Sequence, residues 1–178
     1  ELVRMLLDAG ANPNGRNDYE ETPLILATTN DGQRAIAVTK VLLERGADPS
    51  ARDVTGDTVL HEGAVHDAIV LIAYYASTGA DLNVVNRWGA TPLDRAVDAR
   101  SDRAADLLYR LGAQVATTAK FEPPLLTAAR TDDAERTRWL LIFGADGLRT
   151  FKGQSALDVA RESRSDSALD VLETAARP

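Results

Sequence analysis

Residues 91–113 read TPLDRAVDARSDRAADLLYRLGA and contain the signals for two short helices separated by a turn. Thr91 can cap a helix with its side-chain oxygen, and Pro92 suits the first helical position because no N–H is needed there. The apolar residues that follow recur three and four positions apart and share one narrow face: Leu93, Ala96 and Val97. The spacing predicts a short amphipathic helix that begins at Pro92.

A second helix is predicted after a charged turn. The turn is DARSDR, residues 98–103, and the helix runs from Ala104 to Leu111. Gly112 then supplies the left-handed backbone conformation that commonly ends a helix. Because each helix is apolar on one face only, neither can bury that face without a neighbouring unit.

The same pattern recurs along the chain. The dipeptide Gly-Ala occurs at 10–11, 46–47, 79–80, 112–113 and 144–145, in steps of 36, 33, 33 and 32 residues. The start of the first helix recurs as TPLILA (22–27), TVLHEG (58–63), TPLDRA (91–96), PPLLTA (123–128) and SALDVA (155–160). Repeats of this length predict a solenoid in which stacked units share one continuous core.

The repeated unit resembles the ankyrin repeat, with its T-P-L-H-x-A start, two short helices and a polar, turn-rich segment after Gly-Ala. The resemblance covers residues 2–177 and implies one all-α domain, a solenoid of stacked helix-turn-helix units with projecting β-turn fingers. It divides the chain into a half-repeat at 1–16 and repeats at approximately 17–52, 53–85, 86–117, 118–149 and 150–178.

Several positions depart from the pattern. Pro123 replaces the capping threonine, which should weaken that helix start. Gly63 replaces a helical alanine, at a cost of roughly 0.5–1 kcal/mol. The repeat that starts at Thr22 carries three extra residues near Asn30-Asp31-Gly32, which predicts a longer loop between its helices.

The first unit contains only its second helix. Leu2, Met5 and Leu6 are therefore expected to expose an apolar edge. We expect the natural protein either to continue upstream or to cover this edge in an oligomer, although a binding module of this kind is expected to be monomeric.

Composition argues against several classes of partner and site. The formal net charge is −7, so nucleic acid is not expected as a partner. The absence of cysteine excludes disulfides and thiolate zinc sites. No apolar run approaches the roughly 18 residues of a membrane span, so the sequence predicts a soluble, cytoplasmic protein.

Both histidines lie in HEGAVH, residues 61–66, which is close to a zinc-protease signature. His61 and His66 are five positions apart, or about 140° around a regular helix, so they cannot share one ion. The ankyrin resemblance implies instead that His61 is structural and hydrogen-bonds to a neighbouring turn. With no nucleotide-binding or nucleophile motif present, the sequence predicts no metal, no cofactor and no enzyme.

The resemblance implies that a partner protein binds at the finger tips and at the exposed ends of the first helices. The candidate residues are Tyr19, Glu21, Thr55, Asp57, His66, Arg87, Trp88, Lys120, Arg130, Phe151 and Lys152. Tyr19, Trp88 and Phe151 share the tip register, and Trp, Tyr and Arg are enriched at binding hot spots. The alternative, that these rings lie flat on neighbouring fingers and stabilise the array, stays open.

The finger charges change sign along the chain. The first two fingers carry Asp18, Glu21 and Asp57, whereas the later ones carry Arg87, Lys120 and Lys152. This distribution predicts a partner that is basic at one end of the groove and acidic at the other.

The predicted function is a non-enzymatic module that binds a partner protein through its concave finger and inner-helix surface. The first alternative is a regulatory or spacer segment of a longer chain that contacts another of its own domains. The second is a small-ligand binder or an enzyme.

Overall fold

A computed structural model of the chain describes residues 1–29, 32–116 and 122–176. The inner helices are α2 Pro23–Leu26, α4 Val59–Val65, α6 Pro92–Asp98, α8 Pro124–Arg130 and α10 Ala156–Ser163. The outer helices are α1 Leu2–Asp8, α3 Gly32–Glu44, α5 Ile69–Ser77, α7 Asp102–Arg110, α9 Ala134–Ile142 and α11 Asp166–Ala175. A 3₁₀ turn, Ala27–Thr29, follows α2, and the described residues contain no strand, only one isolated bridge between Phe151 and Gln154. The predicted all-α solenoid is confirmed.

The inner helices begin with side-chain caps. Thr91 accepts a hydrogen bond from the N–H of Asp94 at 3.2 Å, and the Asp94 carboxylate accepts from the N–H of Thr91 at 2.8 Å. The same reciprocal arrangement joins Ser155 to Asp158. Pro123 makes no side-chain cap, which is the weaker helix start that the sequence predicted.

Small residues occupy one buried register of all five inner helices: Ala27, Gly63, Ala96, Ala128 and Ala160. A Cβ atom added to Gly63 would lie 3.3 Å from Cδ2 of Leu71. The register is therefore restricted to small side chains because neighbouring helices approach closely there.

Turns between inner and outer helices connect successive repeats. Asp67, with φ of 52°, accepts a hydrogen bond from the N–H of Ala104 in the next repeat at 2.8 Å. Asp132, with φ of 55°, accepts from the N–H of Ala168 at 2.9 Å. Each aspartate thus satisfies a free N–H at the start of the following outer helix.

The Thr22 repeat, which carries the extra residues, has a longer outer helix. The outer helix α3 has 13 residues, against nine for α5, and Gly32 is its first residue rather than part of a turn. Asn30 and Asp31, where the sequence predicted a longer loop, lie outside the described residues.

The first helix exposes the apolar edge that the sequence predicted. Leu2, Met5 and Leu6 are all more than half exposed along α1, as predicted.

Across the ranges that the structure covers, no helix combines the length and the apolar character needed to cross a bilayer.

Thr91→Ala is expected to lower the free energy of unfolding by about 1–2 kcal/mol, because the N–H of Asp94 and the buried Asp94 carboxylate each lose a partner. Urea denaturation measures this loss. Thr174→Ala, which removes an exposed threonine from α11, serves as the control and should change stability by less than about 0.5 kcal/mol. Equal losses in the two variants would contradict the role of the cap.

Candidate interaction surface

The polar loops that precede the inner helices form hydrogen-bonded fingers, which in the first three are residues 16–21, 52–57 and 85–90. The N–H of Val54 donates to the carbonyl oxygen of Tyr19 at 3.0 Å, and the N–H of Arg87 donates to that of Thr55 at 3.0 Å. Neighbouring fingers therefore lie side by side, and their tips form one continuous surface.

One Asn or Asp side chain fixes the tip of each of these fingers. In the third, Oδ1 of Asn86 accepts from the N–H groups of Trp88 and Ala90, both at 3.0 Å. Asn17 and Asp53 accept the equivalent pairs of N–H groups in the first two fingers. This arrangement holds the backbone of the tip without involving the tip side chains.

Two arginines join successive fingers. The Arg52 guanidinium donates to the carbonyl oxygen of Gly56 at 2.9 Å and to that of Val85, in the next finger, at 2.7 Å. Arg16 bridges in the same way to the carbonyl oxygens of Glu20 and Arg52. Sequence reasoning missed both residues, although their shared register, each one position before the Asn or Asp that fixes the tip, was a usable signal.

Two aromatic side chains stand exposed on this rigid backbone. Tyr19 is 67% exposed and Trp88 is 56% exposed. Neighbouring fingers do not cover either ring, so both present large apolar surfaces to solvent. At the tip of the second finger, Thr55 is half-buried, and its hydroxyl donates to Oδ1 of Asp53 at 2.7 Å.

Phe151 lies differently from the tip position that the sequence suggested. Its ring is partly buried against the core, and the ammonium of Lys152 lies 5.3 Å from the ring centroid. Two backbone hydrogen bonds join Phe151 and Gln154 in a tight turn. Phe151 is therefore a packing residue, and only the exposed Lys152 remains available to a partner at this finger.

Asp57 is also not available as a contact residue, contrary to the sequence prediction. It is 1% exposed, and its carboxylate accepts from Nδ2 of Asn86 at 2.7 Å and from Nε of Arg95 at 3.1 Å. Asp57 thus joins its own finger to the next finger and to α6. Its role is structural because both carboxylate oxygens are engaged inside the protein.

A cleft of about 280 Å³ opens beside Trp88, where the third and fourth repeats meet. Its walls include Trp88, Asp98, Glu122, Pro123, Pro124 and Arg136. Helix α4 packs along α6, and α8 along α10, but α6 and α8 contact each other only sparsely within the described residues. The side chain of Arg136 reaches from α9 to form an ion pair with Asp98 across this gap.

Comparison with known proteins identifies the repeats. The family model of the ankyrin repeat matches residues 19–54. Cyclin-dependent kinase 4 inhibitor B of Mus musculus is 33% identical over 97 residues, a match that spans 54% of this chain and 72% of that protein. The chain belongs to the ankyrin-repeat family.

Two further relatives share longer stretches with this ankyrin-repeat chain. Ankyrin repeat and SOCS box protein 16 of Homo sapiens is 34% identical over 144 residues, covering 79% of this chain and 31% of that protein. A transient receptor potential cation channel subfamily A member 1 homolog of Caenorhabditis elegans is 30% identical over 178 residues, covering 98% of this chain and 14% of that protein.

His61 occupies the histidine position of the ankyrin pattern. Its Nδ1 lies 3.1 Å from the N–H of Thr58, which can only donate, so Nδ1 is the acceptor. Nε2 then carries the proton and donates to the carbonyl oxygen of Ala90, 3.0 Å away in the next finger. Burial lowers the pKa of His61 below its usual value, while the charge of Asp57 opposes this shift. His61 is therefore a neutral link between two ankyrin repeats.

Three acidic side chains lie together below the second finger. The carboxylates of Asp53, Asp57 and Glu62 each place an oxygen within 4.8 Å of the others. The Arg95 guanidinium already supplies positive charge there, 3.1 Å from Asp57 and 3.9 Å from Glu62. This ion pair accounts for the cluster as a structural element of the ankyrin array.

The remaining candidate residues are scattered over the surface. His66 is exposed at the end of α4, with Nε2 3.5 Å from Glu62, and Arg130 pairs with Glu122. Glu21 is half-buried and accepts from Nδ2 of Asn17 at 2.7 Å. Arg87 is exposed, and Lys120 lies outside the described residues. The predicted change of partner charge along the groove stays a prediction, now without Asp57.

Arg136 is a third residue that sequence reasoning missed. It lies eight residues before the glycine of its Gly-Ala, a register that holds Val38, Leu71 and Ala104 in the earlier repeats. Leu71 and Ala104 are buried. A charged side chain in an otherwise apolar register was therefore a readable signal of a changed repeat interface.

Asp57→Ala is expected to lower the free energy of unfolding by about 3 kcal/mol, because it leaves Asn86 and Arg95 without their acceptor. Glu21→Ala, in the same register of the first finger, is expected to cost only about 0.5 kcal/mol because its side chain is partly solvated. Urea denaturation of both variants measures the difference. Similar costs would show that Asp57 does not join the repeats.

His61→Gln is expected to weaken the pH dependence of stability, while glutamine still suits the capping position. The folded pKa of His61 lies below the unfolded value, so at this site the unfolded state binds more protons as the pH falls through about 6.5, and the contribution of His61 to stability falls with it. Unfolding free energies at about pH 7.5 and about pH 5.5 check the slope.

The matched control for this experiment is His66→Gln. It removes the exposed histidine and leaves His61 in place, so the wild-type slope should persist. An unchanged slope in His61→Gln would mean that the buried imidazole does not govern this pH range.

Proposed function

We propose that the chain is a protein-interaction module that binds a partner protein through the concave surface of its fingers and inner helices. Ankyrin repeats are generally modules of this kind. The mouse relative is named as an inhibitor of a kinase, which is itself a protein. The observation that carries the proposal is the exposure of Tyr19 and Trp88 on hydrogen-bonded finger tips.

The energetic argument for these two side chains is preorganisation. A large aromatic ring on a fixed backbone loses little conformational freedom when a partner covers it. Asn17 and Asn86 fix the two tip backbones before any partner arrives. Burial of such rings at the centre of an interface contributes strongly to affinity.

We include in the proposal that the module is not an enzyme and needs no cofactor. Burial raises the pKa of Asp94 to about 6, a shift that can mark a catalytic acid. Its carboxylate, however, accepts hydrogen bonds from Thr91 and from the N–H of Ala116 at 3.0 Å, inside the protein. Burial at the capped start of α6 accounts for the raised pKa, and the hydrogen bonds from Thr91 and Ala116 oppose it.

A second candidate function is a regulatory or spacer role within a longer protein. The exposed apolar residues of α1 favour it, since a contact with another domain would cover them. The match to the nematode channel homolog also favours it, because it spans 98% of this chain but only 14% of that protein.

The proposal is tested by affinity capture from an extract of the source cells. The baits are the wild-type chain, the double variant Tyr19→Ala, Trp88→Ala, and Ile142→Ala as a control. Ile142 is 53% exposed on the outer helix α9, away from the fingers. We expect a protein that is retained by the wild type and by Ile142→Ala and is lost from the double variant. Circular dichroism confirms that each bait is folded.

Equal retention by all three baits would overturn binding through the fingers. Loss from Ile142→Ala alone would assign the contact to the outer helices, which also contradicts the proposal.

A further inference from the structure

We propose that the cleft beside Trp88 accepts one basic side chain, arginine or lysine, from the partner protein. This inference rests on the proposed function and adds the chemistry of one contact. It follows from the position of the cleft on the finger side of the array, where Trp88 forms one wall and the start of α8 forms another.

The lining residues of the cleft retain two unpaired carboxylate oxygens as acceptors, beside the indole N–H of Trp88 and the hydroxyl of Thr127. Arg136 pairs with Oδ1 of Asp98, and Arg130 pairs with Oε1 of Glu122. Among the described residues, Oδ2 of Asp98 and Oε2 of Glu122 have no hydrogen-bond donor. A ligand that donates hydrogen bonds and carries positive charge satisfies both atoms.

The start of α8 contributes few donors for an anion. Nε of Arg136 is buried without a partner among the described residues, so it does not face a ligand. Pro123 and Pro124, at the start of α8, have no N–H to offer. An incoming carboxylate would therefore find two carboxylates and few donors.

The two nearby arginines do not fully offset the effect of burial on the ionised form of Asp98. Burial raises the pKa of its carboxyl group, although Arg136 and Arg95 act in the opposite direction. A second cation within reach would favour the ionised form of Asp98 and would be bound more tightly in return.

Trp88 supplies the apolar wall. An arginine or lysine side chain can place its charged group over the indole face and its alkyl stem against the ring and the prolines.

The test is an NMR titration of the isotopically labelled chain with Nα-acetyl-arginine amide. The neutral isostere Nα-acetyl-citrulline amide is the matched probe. We expect the arginine probe to shift the indole N–H of Trp88 and the backbone signals of Ala90 and Thr127, and to bind about tenfold more tightly than the citrulline probe. Added salt should weaken the arginine probe selectively.

Three variants locate the site. Trp88→Ala and Glu122→Gln should each weaken binding of the arginine probe severalfold, whereas Ile142→Ala should leave it unchanged. Equal affinity for the two probes, or shifts that do not include the cleft residues, would overturn the inference. Such a result would leave the proposed function intact, because that function is tested by the loss of a captured protein from the double variant.

Discussion

The whole array depends on the stacking of helices that cannot bury their apolar faces alone. Small residues at one register, from Ala27 to Ala160, allow close approach where inner helices pack together, as α4 does with α6 and α8 with α10. The capping pairs that start these helices are placed at the same interface, as His61 shows by donating to the following finger. Local helix signals and long-range packing therefore support the same structure, which is typical of repeat proteins.

The fingers, like the helices, are held by contacts between successive repeats. Backbone hydrogen bonds, the Asn and Asp side chains inside each finger, and the bridging arginines make the loops a continuation of the folded array. Buried charges such as Asp57 and Arg95 connect the loops to the helices below. The tip backbones are thus already ordered in the free chain.

The sequence predicted those features that depend on a few neighbouring residues. The helix start at Thr91, the helix end at Gly112 and the uncapped Pro123 are all local, and all are seen. The burial of Asp57 could not be predicted from its neighbours in sequence, because its partner Arg95 lies 38 positions away. Only the folded structure shows that the carboxylate of Asp57 is buried, whereas that of Glu21, at the same register of the first finger, is partly solvated.

The separation of backbone support from tip side chains has an evolutionary consequence. Because Asn86 holds the third finger through its N–H groups, the identity of the residue at position 88 hardly enters the stability of the loop. Under the proposed function, substitutions there change what the surface recognises while the scaffold stays folded. Such tips can diverge rapidly between related genes, and new specificities can arise by single replacements on an unchanged framework.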